Sequence, residues 1–278
     1  MHPMLNTAVK AARRAGNIIL RYARDLDRVT VENKGNHQGL VTEVDKAAEQ
    51  AIFEVLIDAY PDHHFLGEEG GILTATSKSD FQWIVDPLDG TTNFVHGLPH
   101  YGVSIALLHR GILQQSVIFQ PDANLLFTAT RGAGAFLNDR RLRVSRRTNL
   151  RDCLLVTGFA YRPDRPVTFY RTLQQGIAEA TGGLRNSGAS ALDLAYCAAG
   201  WFDGTLQFGA RPWDVAAGAL LIQEAGGMIS DFNGQADFID CGHLIAATPK
   251  VFPALLQLLE EHLSTLPDTA KALASLKK

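Results

Sequence analysis

An apolar run, Trp83-Ile84-Val85, passes directly into Asp86-Pro87-Leu88-Asp89-Gly90-Thr91-Thr92. A strand buried in a sheet normally hands over to a neutral turn, because a carboxylate there loses its water. Pro87 fixes the backbone, and Gly90 permits a sharp change of direction before two hydroxyl residues. The pattern predicts a short strand Trp83–Val85 whose end presents Asp86 at the sheet edge, with Asp89 returned to the same side. Two like charges so close raise each other's pKa unless a cation lies between them. No Lys or Arg lies nearby in sequence. A divalent ion is the simplest neutraliser, and oxygen donors alone suit Mg2+, Mn2+ or Ca2+ better than zinc.

Further carboxylates sit in comparable settings. Leu66-Gly67-Glu68-Glu69-Gly70-Gly71 sets two acids among glycines, and Arg211-Pro212-Trp213-Asp214 sets one at the start of an expected helix. Taken singly, each has an ordinary explanation. Acids in glycine turns are usually solvated, and an acid in the first turn of a helix complements its dipole. The D-P-L-D-G-T-T stretch resists that reading, because it combines two acids, a fixed proline, a glycine and two hydroxyls.

The 278 residues suffice for one large domain or two packed halves. Periodicity predicts amphipathic helices over Leu5–Leu26 and Thr42–Ala59, with Val31–Gly39 as the loop between them. From Tyr101 the pattern becomes an antiparallel meander with strands Gly102–Leu108, Ile112–Phe119, Leu125–Thr130, Ala135–Leu137 and Leu142–Ser145. Beyond it, strands are expected at Leu154–Thr157, Gly204–Phe208, Met228–Asp231 and Leu244–Ala247. Helices are expected near Pro166–Ala180, Ser190–Ala199 and Trp213–Ala225, with a last one from Pro249. The expected organisation is an N-terminal α+β half, 1–147, carrying most of the acids, and a C-terminal half, 148–278, supplying Asp214 to one compact catalytic unit. Net charge is −3, which predicts no broad nucleic-acid or membrane field. Three cysteines without C-x-x-C spacing predict a reducing compartment and no zinc knuckle. With neither a secretory signal nor a long apolar run, a cytoplasmic location is expected.

Other features have plain readings. His96 and His100 have the i,i+4 spacing of helical zinc pairs, but Gly97 and Pro99 between them predict loop or surface histidines. The run Arg140, Arg141, Arg143, Arg146 and Arg147 reads as a solvated face before it reads as a binding patch. No G-x-S-x-G elbow occurs.

The segments Gly67-Glu68-Glu69, 83–108 from Trp83-Ile84-Val85-Asp86, and 211–227 through Trp213-Asp214-Val215-Ala216-Ala217-Gly218 together resemble the inositol monophosphatase family. Leu40-Val41-Thr42-Glu43-Val44-Asp45 and the glycine-bounded segment 188–200 agree in order and spacing, so the resemblance spans nearly the whole chain. It is nearest the bacterial SuhB-type branch. The resemblance implies a layered α/β/α/β/α sandwich of the sugar-phosphatase type and phosphomonoester hydrolysis with two to three Mg2+. Glu68, Asp86 and the carbonyl of Leu88 would hold one ion; Asp86, Asp89 and Asp214 a second; a third would lean on Glu68 and water. Thr91, supported by Asp45, would orient the attacking water together with Glu68, and the amides of Gly90 and Thr91 would hold phosphate oxygens. Asp89, Asp214, Ser190 and Gln207 are the candidate contacts to the rest of the substrate. Inositol-specific relatives commonly carry an acid where Gln207 stands, so phosphatase activity is better founded than inositol preference. Lithium sensitivity and a homodimer are implied by resemblance alone. So is a second role, as a binding partner in RNA-polymerase antitermination. Nucleotide or fructose bisphosphates are alternative substrates.

Overall fold

The computed structural model describes residues 2–33, 40–73, 79–159 and 167–264. The stretch 34–39 of the expected first loop, and Pro166 at the expected start of a helix, lie outside the described residues.

Helix α1 (Pro3–Tyr22) is capped by His2, whose ring accepts the Met4 N–H, with Pro3 in the first helical turn where no N–H is missed. It ends four residues before the expected Leu26; Leu26–Arg28 forms a separate 3-10 turn. Part of the expected loop is a strand: β1 (Val31–Asn33) pairs antiparallel with β2 (Leu40–Thr42). Helix α2 (Glu43–Ala59) follows, with Thr42 and Asp45 forming a reciprocal capping box.

The larger sheet comprises β3 (His64–Gly67), β4 (Gly71–Leu73), β5 (Phe81–Asp89), β6 (Gly102–His109), β7 (Ile112–Gln120), β8 (Leu125–Thr130), β9 (Gly134–Leu137) and β10 (Arg140–Arg141). The five-residue helix α3 (Thr91–Val95) lies between β5 and β6. The strand order is β10-β9-β8-β7-β6-β5-β3-β4. Neighbours are antiparallel except β3 and β5, which run parallel. The expected strand Leu142–Ser145 is not formed. Leu142 donates its N–H to Ala135 and buries its side chain, while the Val144 N–H goes to Ala225, so this segment ties the meander to the second half instead of extending a ladder.

The second half contains β11 (Leu154–Phe159), α4 (Val167–Ala180), β12 (Gly183–Arg185), α5 (Ser190–Ala198), β13 (Gly204–Phe208), α6 (Pro212–Glu224), β14 (Met228–Ser230), α7 (Phe238–Cys241), β15 (His243–Ala247) and α8 (Phe252–Ser264). Its sheet has the order β12-β11-β13-β15-β14. The two pairs on β11 are parallel and the two on β15 antiparallel. The last helix starts at Phe252, not near Pro249, because the Val251 and Phe252 N–H groups are drawn to the Thr248 carbonyl first.

Three apolar clusters define five layers. α1 and α2 cover one face of the large sheet through Ala8, Ala12, Ile19, Ile52, Leu56, Trp83, Ile105 and Val117. α5 and α6 fill the space between the two sheets. α4 and α8 close the far face of the small sheet through Leu173, Ile177, Leu206, Ile245, Leu255 and Leu259. Helix α6 shows why the middle layer sits there: every residue from Val215 to Ile222 is buried, and a helix apolar all round must be covered on all sides. The α/β/α/β/α arrangement expected from the resemblance is the observed one. The buried acids Asp45, Asp86, Asp89 and Asp193 lie where the ends of β3 and β5 meet the starts of α2, α3, α5 and α6.

Candidate metal centre and active site

Strand β5 does not stop at Asp86 but continues to Asp89. Its register against β6 slips between Asp86, paired with Ser104, and Asp89, paired with Gly102. Three steps on β5 thus oppose two on β6, the mark of a bulge. In an even strand, residues three apart face opposite ways; the extra residue re-aims the second acid. Asp86 consequently feels Glu68, Asp89 and Asp214, and Asp89 feels Asp214 and Glu68. The strand therefore delivers both acids to one place, as the sequence predicted, by a longer and more irregular path. The Leu88 N–H closes the bulge by donating to Asp86 Oδ1 at 3.0 Å.

The remaining acids arrive from three other elements. Glu68 follows β3, and its N–H continues the parallel ladder by donating to the Val85 carbonyl at 3.2 Å, which sets it beside Asp86. Asp214 lies in the first turn of α6, where Oδ2 accepts the Arg211 N–H at 2.7 Å. Asp45 lies in the first turn of α2, fully buried, with Oδ2 accepting both the N–H and the hydroxyl of Thr42 at 2.7 and 2.6 Å. Its Oδ1 faces Thr91 Oγ, 3.0 Å away, which is also 3.0 Å from the Leu88 carbonyl. Thr91 thus has two acceptors for one proton.

Gly90 makes the turn possible. Its φ is +87°, and a Cβ there would lie 3.0 Å from the His100 carbonyl and 3.1 Å from Ala189, so any side chain would be both strained and crowded. Asn93 pins the same corner by donating to the carbonyls of His100 and Ser187, each at 2.8 Å. As expected of loop or surface histidines, His96 is exposed at the C-cap of α3 and His100 lies in the following loop, half-buried.

Burial, then Glu68, Asp89 and Asp214, push Asp86 well above the usual carboxylate range. Burial and then Asp214 do the same to Asp89, against the opposing Ala191 N–H. Asp45 is raised by burial, partly countered by Thr42 and Thr91. The leading charges around Asp86 and Asp89 are all negative, and the donors are all oxygen. Such a group fits a hard divalent cation, which would relieve the repulsion that now favours protons. The carboxylates do not already form a closed shell. Among the described residues, no three His, Cys, Asp or Glu side chains are gathered tightly enough to enclose an ion, and Asp86 instead shares a hydrogen bond with Glu68.

The wall opposite is built by α5 and β13. Asp89 Oδ1 and Oδ2 accept the N–H groups of Ser190 and Ala191 at 3.2 and 2.8 Å, so this acid caps α5. Ser190 Oγ donates to Gln207 Oε1 at 3.1 Å, and Gln207 Nε2 donates to Thr205 Oγ1 at 2.9 Å. Gln207 is 1% exposed; its amide is turned into this network. Two acids that sequence reasoning passed over also lie here. Glu49 of α2 grips the Glu69 and Gly70 amides. Asp193 of α5 is fully buried, with Oδ1 accepting from Ser187 Oγ, a further hydrogen bond from Gln207, and no hydrogen-bond partner for Oδ2 among the described residues. An acid inside the apolar run Ala191–Ala195 was the available signal for Asp193; nothing in the spacing singled out Glu49.

A five-layered sandwich with convergent acids at its polar seam defines a class, and comparison with known proteins places the chain within it. The chain belongs to the inositol monophosphatase family, whose sequence pattern it matches over residues 1–264. It is similar to the Nus factor SuhB of Pseudomonas aeruginosa, 48% identical over 266 residues that cover 95% of this chain and 98% of the relative. Among solved structures it is similar to the extragenic suppressor protein suhB of Bartonella henselae (TM-score 0.89, 39% identity, 94% of this chain and 99% of that one). It is also similar to an IMPase of Thermotoga maritima (TM-score 0.84, 32% identity, 94% and 98%).

Proposed function

We propose that the chain is a Mg2+-dependent phosphomonoesterase acting on inositol monophosphate or a similar small polyol phosphate. The observation that carries this reading is the convergence of the like-charged Glu68, Asp89 and Asp214 on Asp86, each raising its pKa. Glu68, Asp86 and the Leu88 carbonyl would hold one ion, Asp86, Asp89 and Asp214 a second, and Glu68 with water a third. When bound, two to three Mg2+ supply the positive charge that offsets the four carboxylates and the phosphate dianion. Residues 1–147 contribute most of these groups and residues 148–278 contribute Asp214, acting as one catalytic unit.

The chain's own residues do the orienting. When the Thr91 proton points to Asp45 Oδ1 or the Leu88 carbonyl, the lone pairs of Oγ face outward and can accept a hydrogen from a water molecule. Glu68 accepts the other, so that the water oxygen is aimed at phosphorus. The Gly90 and Thr91 amides hold phosphoryl oxygens. Ser190, and Gln207 behind it, form the wall for substrate hydroxyls, and Gln207 acts there chiefly by holding Ser190 Oγ. Without a carboxylate at 207, that wall makes neutral hydrogen bonds, roughly half as strong as charge-assisted ones, which fits a broader choice of polyol. The decisive assay is phosphate release from inositol 1-phosphate with Mg2+, with EDTA, and with Asp86→Asn. Turnover that survives chelation or the substitution refutes the reading. Inhibition by Li+ is the accompanying expectation.

A second role has its own support. The Pseudomonas relative is named a Nus factor, and Arg140, Arg141, Arg143 and Arg146 are exposed, as is Trp201, at 48%, whose neighbour Gly200 abuts the Arg143–Ser145 backbone. Among the described residues, Arg147 is the one of the run that makes an ion pair, with Asp203 at 3.1 Å. Such a surface suits contacts within RNA-polymerase antitermination assemblies, a role that would be exercised in the cytoplasm; a homodimer would present it twice. Reversing Arg143 and Arg146 to Glu should abolish binding to purified transcription complexes while phosphatase turnover persists. Unchanged binding refutes this role.

A further inference from the structure

The glycines around Glu68 are explained by an acid twenty residues earlier. Glu49 is 5% exposed on α2, and the Gly67–Gly71 turn wraps its side chain. Oε2 accepts the Glu69 N–H at 2.9 Å and Oε1 accepts the Gly70 N–H at 2.6 Å. A Cβ on Gly67 would stand 2.5 Å from Oε2, and one on Gly70 would stand 2.6 Å from Oε1. Only glycine lets the turn close around the carboxylate. Successive backbone N–H groups directed at one anion form a nest, and here the anion is part of the protein.

The consequence concerns Glu68. Its own N–H is held by Val85, and the two N–H groups that follow it are held by Glu49. The backbone is pinned on both sides of the residue. Glu49 follows Asp45 by four positions, so the two lie one above the other on the same face of α2, about 6 Å apart along the axis. Asp45 holds Thr91. A single rigid helix therefore sets the spacing between Thr91 and Glu68, the two groups assigned above to the attacking water. Phe53, one turn further on, packs edge-on against Phe65 of β3 with ring centroids 5.5 Å apart and keeps the helix in place.

We infer that Glu49 is a positioning residue that fixes the Glu68 carboxylate for metal and water without touching either. The inference rests on the proposed phosphatase reading. Carboxylates and hydrogen-bond partners behind metal ligands typically change metal affinity or activity by about 10–100-fold when removed. Glu49→Gln preserves the size but offers one oxygen where two N–H groups need acceptors. Gly70→Ala, at an exposed position without positive φ, pushes on the same carboxylate from the turn side. Glu54→Gln, on the outer side of the helix in an ion pair with Arg14, is the control.

Mg2+ binding should be measured by titration calorimetry on each folded protein, alongside the Mg2+ concentration for half-maximal phosphate release and the substrate KM at saturating Mg2+. Expected is a weakening of Mg2+ affinity of about 10-fold or more in Glu49→Gln and Gly70→Ala, with KM nearly unchanged and Glu54→Gln like wild type. A merely structural role would lower the melting temperature and leave Mg2+ affinity alone; that outcome in either folded variant overturns the inference. If wild type itself binds no Mg2+, the phosphatase reading falls and takes this inference with it. Wild-type binding with equal binding by the variants sinks the Glu49 role alone.

Discussion

Asp193 offers the sharpest quantitative test of the polar seam. It is fully buried on α5, and burial, only partly offset by hydrogen bonds from Ser187 and Gln207, raises its pKa from 3.8 to about 7. The sign follows from linkage. Below pH 4 the folded and unfolded chains both keep the proton, and the group is neutral in its effect. Between pH 4 and pH 7 the unfolded chain releases its proton while the folded chain holds it, so unfolding becomes easier as pH rises. Above pH 7 the penalty is fully present. The gap between 3.8 and about 7 corresponds to about 4 kcal/mol, a large part of the 5–15 kcal/mol typical of folded proteins. Asp193→Asn cannot ionise and keeps an oxygen for Ser187 and Gln207. The variant should therefore gain on wild type by about 4 kcal/mol between pH 4 and pH 8. The assay is urea unfolding followed by tryptophan fluorescence, both proteins in EDTA, across that range. Taking the difference between the two proteins cancels the titration of groups that Asp193 does not touch, leaving Asp193 and the neighbours whose pKa it raises, Asp89 among them. A difference that stays flat with pH refutes the argument, and with it the claim that this carboxyl is cut off from water.

Two further outcomes test the corner around the acids. Gly90→Ala forces a side chain into φ +87° against the His100 carbonyl, and should cost about 1–3 kcal/mol, read as a lowered melting temperature, while displacing Thr91 and reducing turnover. Thr91→Val removes the hydroxyl shared by Asp45 and Leu88 and should lower kcat by about 10²-fold or more, whereas Thr91→Ser should restore most of it; equal turnover in the two variants would exclude the hydroxyl from the reaction.

The longer helices and most of the central meander were legible because their signals are local, whereas the four-residue α7 was not. Periodic apolar faces marked α1 and α2, and D-P-L-D-G-T-T and W-D marked the acids. What was not legible depends on distant partners. β1, β3 and β12 have only three or four residues each, and become strands only because a neighbour is there to pair with them. Leu142–Ser145 has the alternation of a strand, yet its N–H groups find Ala135 and Ala225. The bulge that turns Asp89 toward Asp86 is a mismatch between two strands and cannot be seen in either one. Glu49 looked like one more charge on an amphipathic helix until the turn that closes on it was placed.

Asp89 joins two jobs in one side chain. Besides facing Asp86 and Asp214, it supplies both acceptors for the first amides of α5, the helix on which Ser190 and Asp193 stand. An alanine at this position would not give a clean inactive control: it would uncap α5, which carries the proposed substrate wall, as well as remove a charge from the proposed metal site. Asp86 accepts the N–H of its own bulge and shares a hydrogen bond with Glu68, so its substitution leaves the α5 amides capped and is the better one with which to test the proposed reaction.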